Sequence, residues 1–207
     1  MKKAFTMLEL VFVILVIGIL ASVIIPRTKT NSLQEAAIQL VSDIRYTQHL
    51  AMIDDKYDST DSNWYRNRWQ LLFGRSEYTD GKYAYTIFSD YLATSQGNPE
   101  LTEIAVNPLD RNKLLSGGYS GELDWKDPQA TKKLNIGYSY GVVAISTHNC
   151  GAKRIAFDNL GRPFKGNDSS WNSSTDGILK KQCIFTLHGE NETINIYIEP
   201  ETGYVHL

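Results

Sequence analysis

Two hydrophobic patterns divide the chain. The first is continuous: from Phe5 to Ile25, 17 of 21 residues are Ala, Val, Ile, Leu, Met or Phe, interrupted only by Thr6, Glu9, Gly18 and Ser22. At 1.5 Å rise per residue, a helix of that length matches the ~30 Å hydrocarbon layer of a bilayer. Lys2 and Lys3 precede the run, which predicts a cytoplasmic N-terminus with the bulk of the chain outside. The second pattern is periodic. Leu33, Ala36, Ala37, Leu40, Val41, Ile44, Ala51 and Met52 recur at helical spacing, with Gln34, Glu35, Asp43 and Arg45 on the other side. This predicts an amphipathic helix whose apolar stripe needs a partner, most simply a sheet of the same chain. Between the two patterns stands Pro26, which lacks a backbone donor and crowds the preceding turn, so a kink or break is expected there. Gly18 is a second expected soft point.

Beyond residue 54 the period shortens. Strand-like runs rich in β-branched and aromatic residues cover Arg68–Phe73, Tyr83–Phe88, Val142–Ser146, Arg154–Phe157, Cys183–Leu187 and Thr193–Glu199. Glu199-Pro200-Glu201-Thr202-Gly203 reads as a turn before a last short strand, Tyr204–Leu207. Ser95 to Gln129 reads as loop with one short helical turn, and Gly166 to Gly177 as a polar loop around Trp171. Asp54, Asp55, Asp58 and Asp61 crowd one segment but lack the spacing of a calcium loop, so a solvated loop is expected.

Composition alone would describe an ordinary globular protein. The 207 residues carry 21 basic and 23 acidic side chains, and the mean hydropathy is −0.30. This balance gives no electrostatic footprint for nucleic acid. No phosphate-binding loop, dinucleotide fingerprint, HExxH or G-x-S-x-G motif occurs, and no cofactor or metal is expected.

Glu9 changes the picture most. A carboxylate inside an apolar layer costs about 2.5–3.5 kcal/mol unless it finds a partner. Neither a cleaved secretory signal nor a plain signal anchor explains it. Lys2-Lys3-Ala4-Phe5-Thr6-Met7-Leu8-Glu9-Leu10 resembles the leader of type IV pilins and type II secretion pseudopilins. The resemblance implies cleavage between Ala4 and Phe5 by a prepilin peptidase and N-methylation at Phe5. It also implies assembly through Phe5 and Glu9, the new amine of one subunit meeting the carboxylate of its neighbour. Ala4 stands where that family usually has Gly. Loss of Lys2 and Lys3 would leave 19 basic against 23 acidic side chains.

The C-terminal part carries a second likeness. Arg154 to Pro163, followed by Ile196 to Val205, is similar to H-type minor pseudopilins, in which a strand ending in Phe and a Gly-bearing turn precede a strand ending in Pro-x-Thr-Gly. Together the two likenesses imply an α+β pilin-like fold, one long N-terminal α-helix packed on an antiparallel β-sheet head. Residues 1–4 would be the leader, 5–26 the transmembrane and polymerisation half of the helix, 27–54 its amphipathic half and 55–207 the head.

Cys150 and Cys183 form an even pair, and outside the cytoplasm a disulfide is the expected state. Two other readings stay open: zinc ligation with His148 and His188, or a Cys150 nucleophile with His188 as base. The whole sequence is read as a non-enzymatic minor pseudopilin of a type II secretion pseudopilus. It would be a single-pass protein of the bacterial inner membrane with a periplasmic head. Its partners would be other pilins or pseudopilins, prepilin peptidase, the inner-membrane assembly platform and membrane lipid, with no nucleic acid. The alternatives are a minor pilin of a type IV pilus serving adhesion, motility or DNA uptake (with DNA then a partner), and a single-span periplasmic enzyme or sensor.

Overall fold

The structure is a computed structural model describing residues 6–24, 31–91, 97–165 and 171–207. The chain divides into two compact units, Met1–Asn31 and Ser32–Leu207. In the first, helix α1 covers Met7–Ile24. In the second unit, α2 covers Ser32–Ile53 and a single turn, α3, covers Ile136–Tyr140.

These elements correct two expectations. The expected long helix packed on one sheet is not what the described residues show: their helices here are α1 and α2, their strands form two sheets, and α2 lies against strands of both. The single-pass inner-membrane anchor is not supported either. Among the described residues no helix is long and apolar enough to cross a membrane. Helix α1 has 18 residues, about 27 Å at 1.5 Å per residue, short of the ~30 Å layer. Phe5 and Ile25, the ends of the apolar run, lie outside the described residues.

Sheet one contains β1 (Trp69–Gly74), β2 (Ala84–Ser89), β4 (Arg154–Phe157) and β5 (Pro163–Lys165), ordered β2-β1-β4-β5. Sheet two contains β3 (Ala144–His148), β6 (Cys183–His188), β7 (Thr193–Ile198) and β8 (Val205–His206), ordered β3-β6-β7-β8. Every pairing is antiparallel. The strands agree with the sequence runs to within a residue or two at most ends, except that β5 is new. It hides in a polar stretch because three residues suffice to pair with β4, Ala156 facing Phe164.

Helix α2 lies against both sheets, touching β1 and β4 of one and β6, β7 and β8 of the other. Its stripe of Leu33, Ala36, Ala37, Leu40, Val41, Ile44 and Ala51 is buried. The paired alanines let the helix backbone come close, and the leucines fill the space on either side. Phe73 of β1 meets Phe185 of β6 edge to face, ring centroids 5.3 Å apart, which ties the two sheets into one core. Two members of the predicted pattern depart from it. Met52 is 54% exposed, whereas Asp43, assigned to the polar side, is only 8% exposed. The expected stripe was narrower than the real one, because two sheets cover a wider arc of helix than one.

Burial along the strands reports what covers each face. β6 alternates buried and half-buried, so one side meets solvent. β2 and β4 are buried throughout. The free edge of β2 is paired by the segment read as loop: isolated bridges join Thr86 to Ser116 and Phe88 to Ile104. The expected helical turn is a 3-10 turn at Leu101–Glu103. A second small core of Tyr65, Ala156, Phe164 and Trp171 covers the other side of β4 and β5. There the Arg68 guanidinium stacks 3.8 Å from the Phe164 ring centroid and donates to the Ser174 carbonyl at 2.6 Å. Burial pulls its pKa down to about 10.

Candidate functional site

Helix α1 begins with a reciprocal cap. The Thr6 hydroxyl accepts from the Glu9 backbone N–H at 3.3 Å, and the Glu9 carboxylate accepts from the Thr6 backbone N–H and hydroxyl, both at 3.0 Å. This is the Thr-x-x-Glu capping box, in which two orphan amides at a helix start satisfy each other's side chains. Glu9 therefore has a partner within its own chain, a role not identified from the sequence although the four-residue spacing was there to read. From Met7 to Leu20 the apolar side chains are exposed on every side of the helix, Val16 alone being half-buried. Glu9 is the only charged residue in α1. Gly18 lies inside α1, and a side chain there would meet nothing within 4 Å. Ala4, Phe5 and Pro26, with the cleavage and methylation assigned to the first two, lie outside the described residues.

In the head, the two C-terminal segments singled out in the sequence come together. The β4–β5 turn is organised by Asp158, whose carboxylate accepts from the backbone N–H of Leu160 at 3.1 Å and of Arg162 at 2.8 Å, and from Arg162 Nε at 2.7 Å. The turn ends at Gly161, φ 76°. The β7–β8 turn ends at Gly203, φ 64°. Gln48 of α2 reaches both: its Nε2 donates to the Gly161 carbonyl at 2.8 Å and the Thr202 carbonyl at 3.0 Å. A Cβ on Gly203 would lie 2.5 Å from that same Gly161 carbonyl oxygen. One turn from each sheet and one side chain from the helix thus form a clasp, and the two glycines in the sequence pattern are what let it close. Arg45, one turn earlier on α2, donates to the Val205 carbonyl at 2.6 Å and holds β8 as well.

Asp43 is a buried carboxylate in the middle of α2. It accepts from the Tyr85 hydroxyl and from Gln39 Nε2 at 3.0 Å. Desolvation raises its pKa, with the two hydrogen bonds opposing. Both of these hydrogen-bond partners are donors that satisfy it.

Cys150 and Cys183 are joined in a disulfide with Cα atoms 4.8 Å apart, bridging the residues after β3 to the start of β6. With both sulfurs bonded to each other, neither is a thiolate for zinc or for nucleophilic attack. His188 instead shares a hydrogen bond with Ser146 at 2.8 Å. The acidic segment is consumed by local structure. Asp54 accepts from Trp69 Nε1 at 2.9 Å and pairs with Lys56, while Asp55 accepts from Asn159 at 3.0 Å. Asp58 and Asp61 cap backbone N–H groups two residues on. Among the described residues no group of three or more His, Cys, Asp or Glu side chains is placed to hold a metal.

The described residues offer an exposed apolar helix with a single capped carboxylate, and a disulfide-closed head. Comparison with known protein families, with curated proteins and with solved structures gives no match in any of the three.

Proposed function

We propose that the chain is a structural subunit of a pilin-like filament, cut between Ala4 and Phe5, N-methylated at Phe5 and assembled through its N-terminal helix. The observation that carries this reading is α1: 18 residues, apolar on every side, with Glu9 as the one charge. A helix hydrophobic all round needs cover on all faces. Neighbouring copies or sister subunits supply it by packing helix to helix, each covered Leu, Ile, Val or Phe contributing about 1.5–3 kcal/mol. Glu9 then lies near the end of the bundle, where the amine freed at Phe5 of a neighbour is its natural counter-charge. The C-terminal likeness to H-type minor pseudopilins favours a type II secretion pseudopilus as the filament.

Intact-mass analysis of the chain from its own cells tests the processing step. A mature chain beginning with N-methyl-Phe5 is expected, and the mass of the uncut chain beginning at Met1 refutes it. For assembly, Glu9→Gln and Glu9→Ala are both expected to leave the head folded and to lower incorporation into filaments at least about tenfold, since each removes the charge. Normal filament incorporation of Glu9→Ala would sink the pairing.

A further inference from the structure

Around Tyr83, just before β2, three cations, Lys153, Arg75 and Lys82, outnumber the single carboxylate, Glu190, that lines the neighbouring cavity. Lys153 donates from Nζ to the Tyr83 hydroxyl oxygen at 3.2 Å and lies 4.6 Å from the ring centroid. The Arg75 guanidinium lies 5.7 Å from the same centroid. Lys82 is the preceding residue, and with Arg75 and Tyr83 it lines a cavity of about 260 Å³. Ion pairs among the described residues join Lys56 to Asp54, Lys113 to Asp110, Arg162 to Asp158 and His206 to Glu199, and none involves these three cations. The two cations over the Tyr83 ring and Lys82 beside it leave a net positive cavity despite Glu190, and an anion entering it relieves their repulsion. The two cations nearest the ring also pull the Tyr83 pKa down, the Lys153 hydrogen bond most of all.

The cavity has a second character. Val142 and Val143 form an apolar part of its wall, and Glu190 also lines it. Gly137 donates its N–H to the Tyr83 carbonyl at 2.8 Å, and a Cβ there would lie 2.8 Å from the Tyr83 nitrogen and 2.9 Å from Lys82 Cβ. That close approach holds Lys82 and Tyr83 beside the segment that leads to Val142 and Val143. Because Lys153 donates to the Tyr83 oxygen, the phenolic hydrogen remains as a donor.

We propose that this cavity binds a small organic anion. A carboxylate or phosphate group is held by Arg75, Lys82 and the Tyr83 hydroxyl, and an apolar body lies against Val142 and Val143. The site belongs to the head and does not depend on the filament reading.

Phenyl phosphate, inorganic phosphate and benzyl alcohol, titrated at constant ionic strength into the full chain and followed by amide NMR, separate the components. Phenyl phosphate should give saturable shifts at Lys82, Gly137 and Val143 and bind more tightly than inorganic phosphate. Arg75→Ala and Lys82→Ala should each weaken it about fivefold or more, and Arg75→Lys should recover part of the loss. Glu190→Gln should tighten it. These side chains are exposed, and the unchanged remainder of the spectrum verifies the fold of each variant. Absence of saturable shifts overturns the proposal, as does equal binding by the double variant lacking Arg75 and Lys82. Benzyl alcohol binding as tightly as phenyl phosphate would show an apolar pocket with no anion selectivity, and would overturn it too.

Discussion

At the scale of single residues, Gly203 and Asp43 show two different constraints. Gly203 sits at φ 64°, with the Gly161 carbonyl oxygen where a Cβ would be. Gly203→Ala therefore combines left-handed strain with a backbone clash and is expected to cost about 2 kcal/mol or more in urea denaturation. Gln48→Ala removes the donor shared by the two turns and should cost about 1–3 kcal/mol, leaving two carbonyls to find water. Asp43 behaves in the opposite sense. Its folded pKa is raised above the unfolded value, so its favourable contribution is complete below that unfolded value and is lost as pH rises through the folded pKa. Asp43→Asn should be more stable than the parent at neutral pH, with the difference vanishing as pH falls below about 3.9, the ordinary aspartate value. Stability curves of the two proteins against pH decide this; a constant difference across the range would contradict it.

At the scale of elements, most of the secondary structure was legible because each element keeps one clean period. The alternation Ile194, Ile196, Ile198 marks β7, and the heptad-like stripe from Leu33 to Ile44 marks α2. What could not be read was cover. β2 is buried throughout, and the segment after it bridges back along its free edge; nothing in a six-residue strand announces that return. β8 is the smallest element, two residues tied down by Arg45 and by the pair of His206 with Glu199 at 3.0 Å. The Glu199 hydrogen bond raises the pKa of His206, and His206 lowers that of Glu199. The pair's contribution is complete between the ordinary Glu and ordinary His values, is lost as pH rises through the raised His206 pKa, and is lost at the acid end as pH falls through the lowered Glu199 pKa. Amide exchange at Val205 and His206 should therefore be slower, after correction for intrinsic rates, below that titration than above it; His206→Ala should remove the pH dependence.

At the scale of the whole molecule, the disulfide and the apolar helix set the behaviour. The bridge spans 33 residues, and by loop entropy it contributes about 3–4 kcal/mol. The double variant Cys150→Ala/Cys183→Ala should unfold at correspondingly lower urea while keeping the same sheet order, which amide NMR can report.

The residues by themselves determined the apolar run, the amphipathic stripe and the positions of nearly all strands, because period and turn chemistry are local properties of a chain. They also marked Glu9 as anomalous and paired the only two cysteines. Tertiary structure decided the rest. It divided the expected sheet into two and laid α2 across both. It buried Asp43 against Tyr85, and it brought Gly161 and Gly203 into one clasp around Gln48. Those outcomes depend on which surfaces meet across stretches from 42 to 154 residues of chain, and no local pattern encodes a distance of that kind.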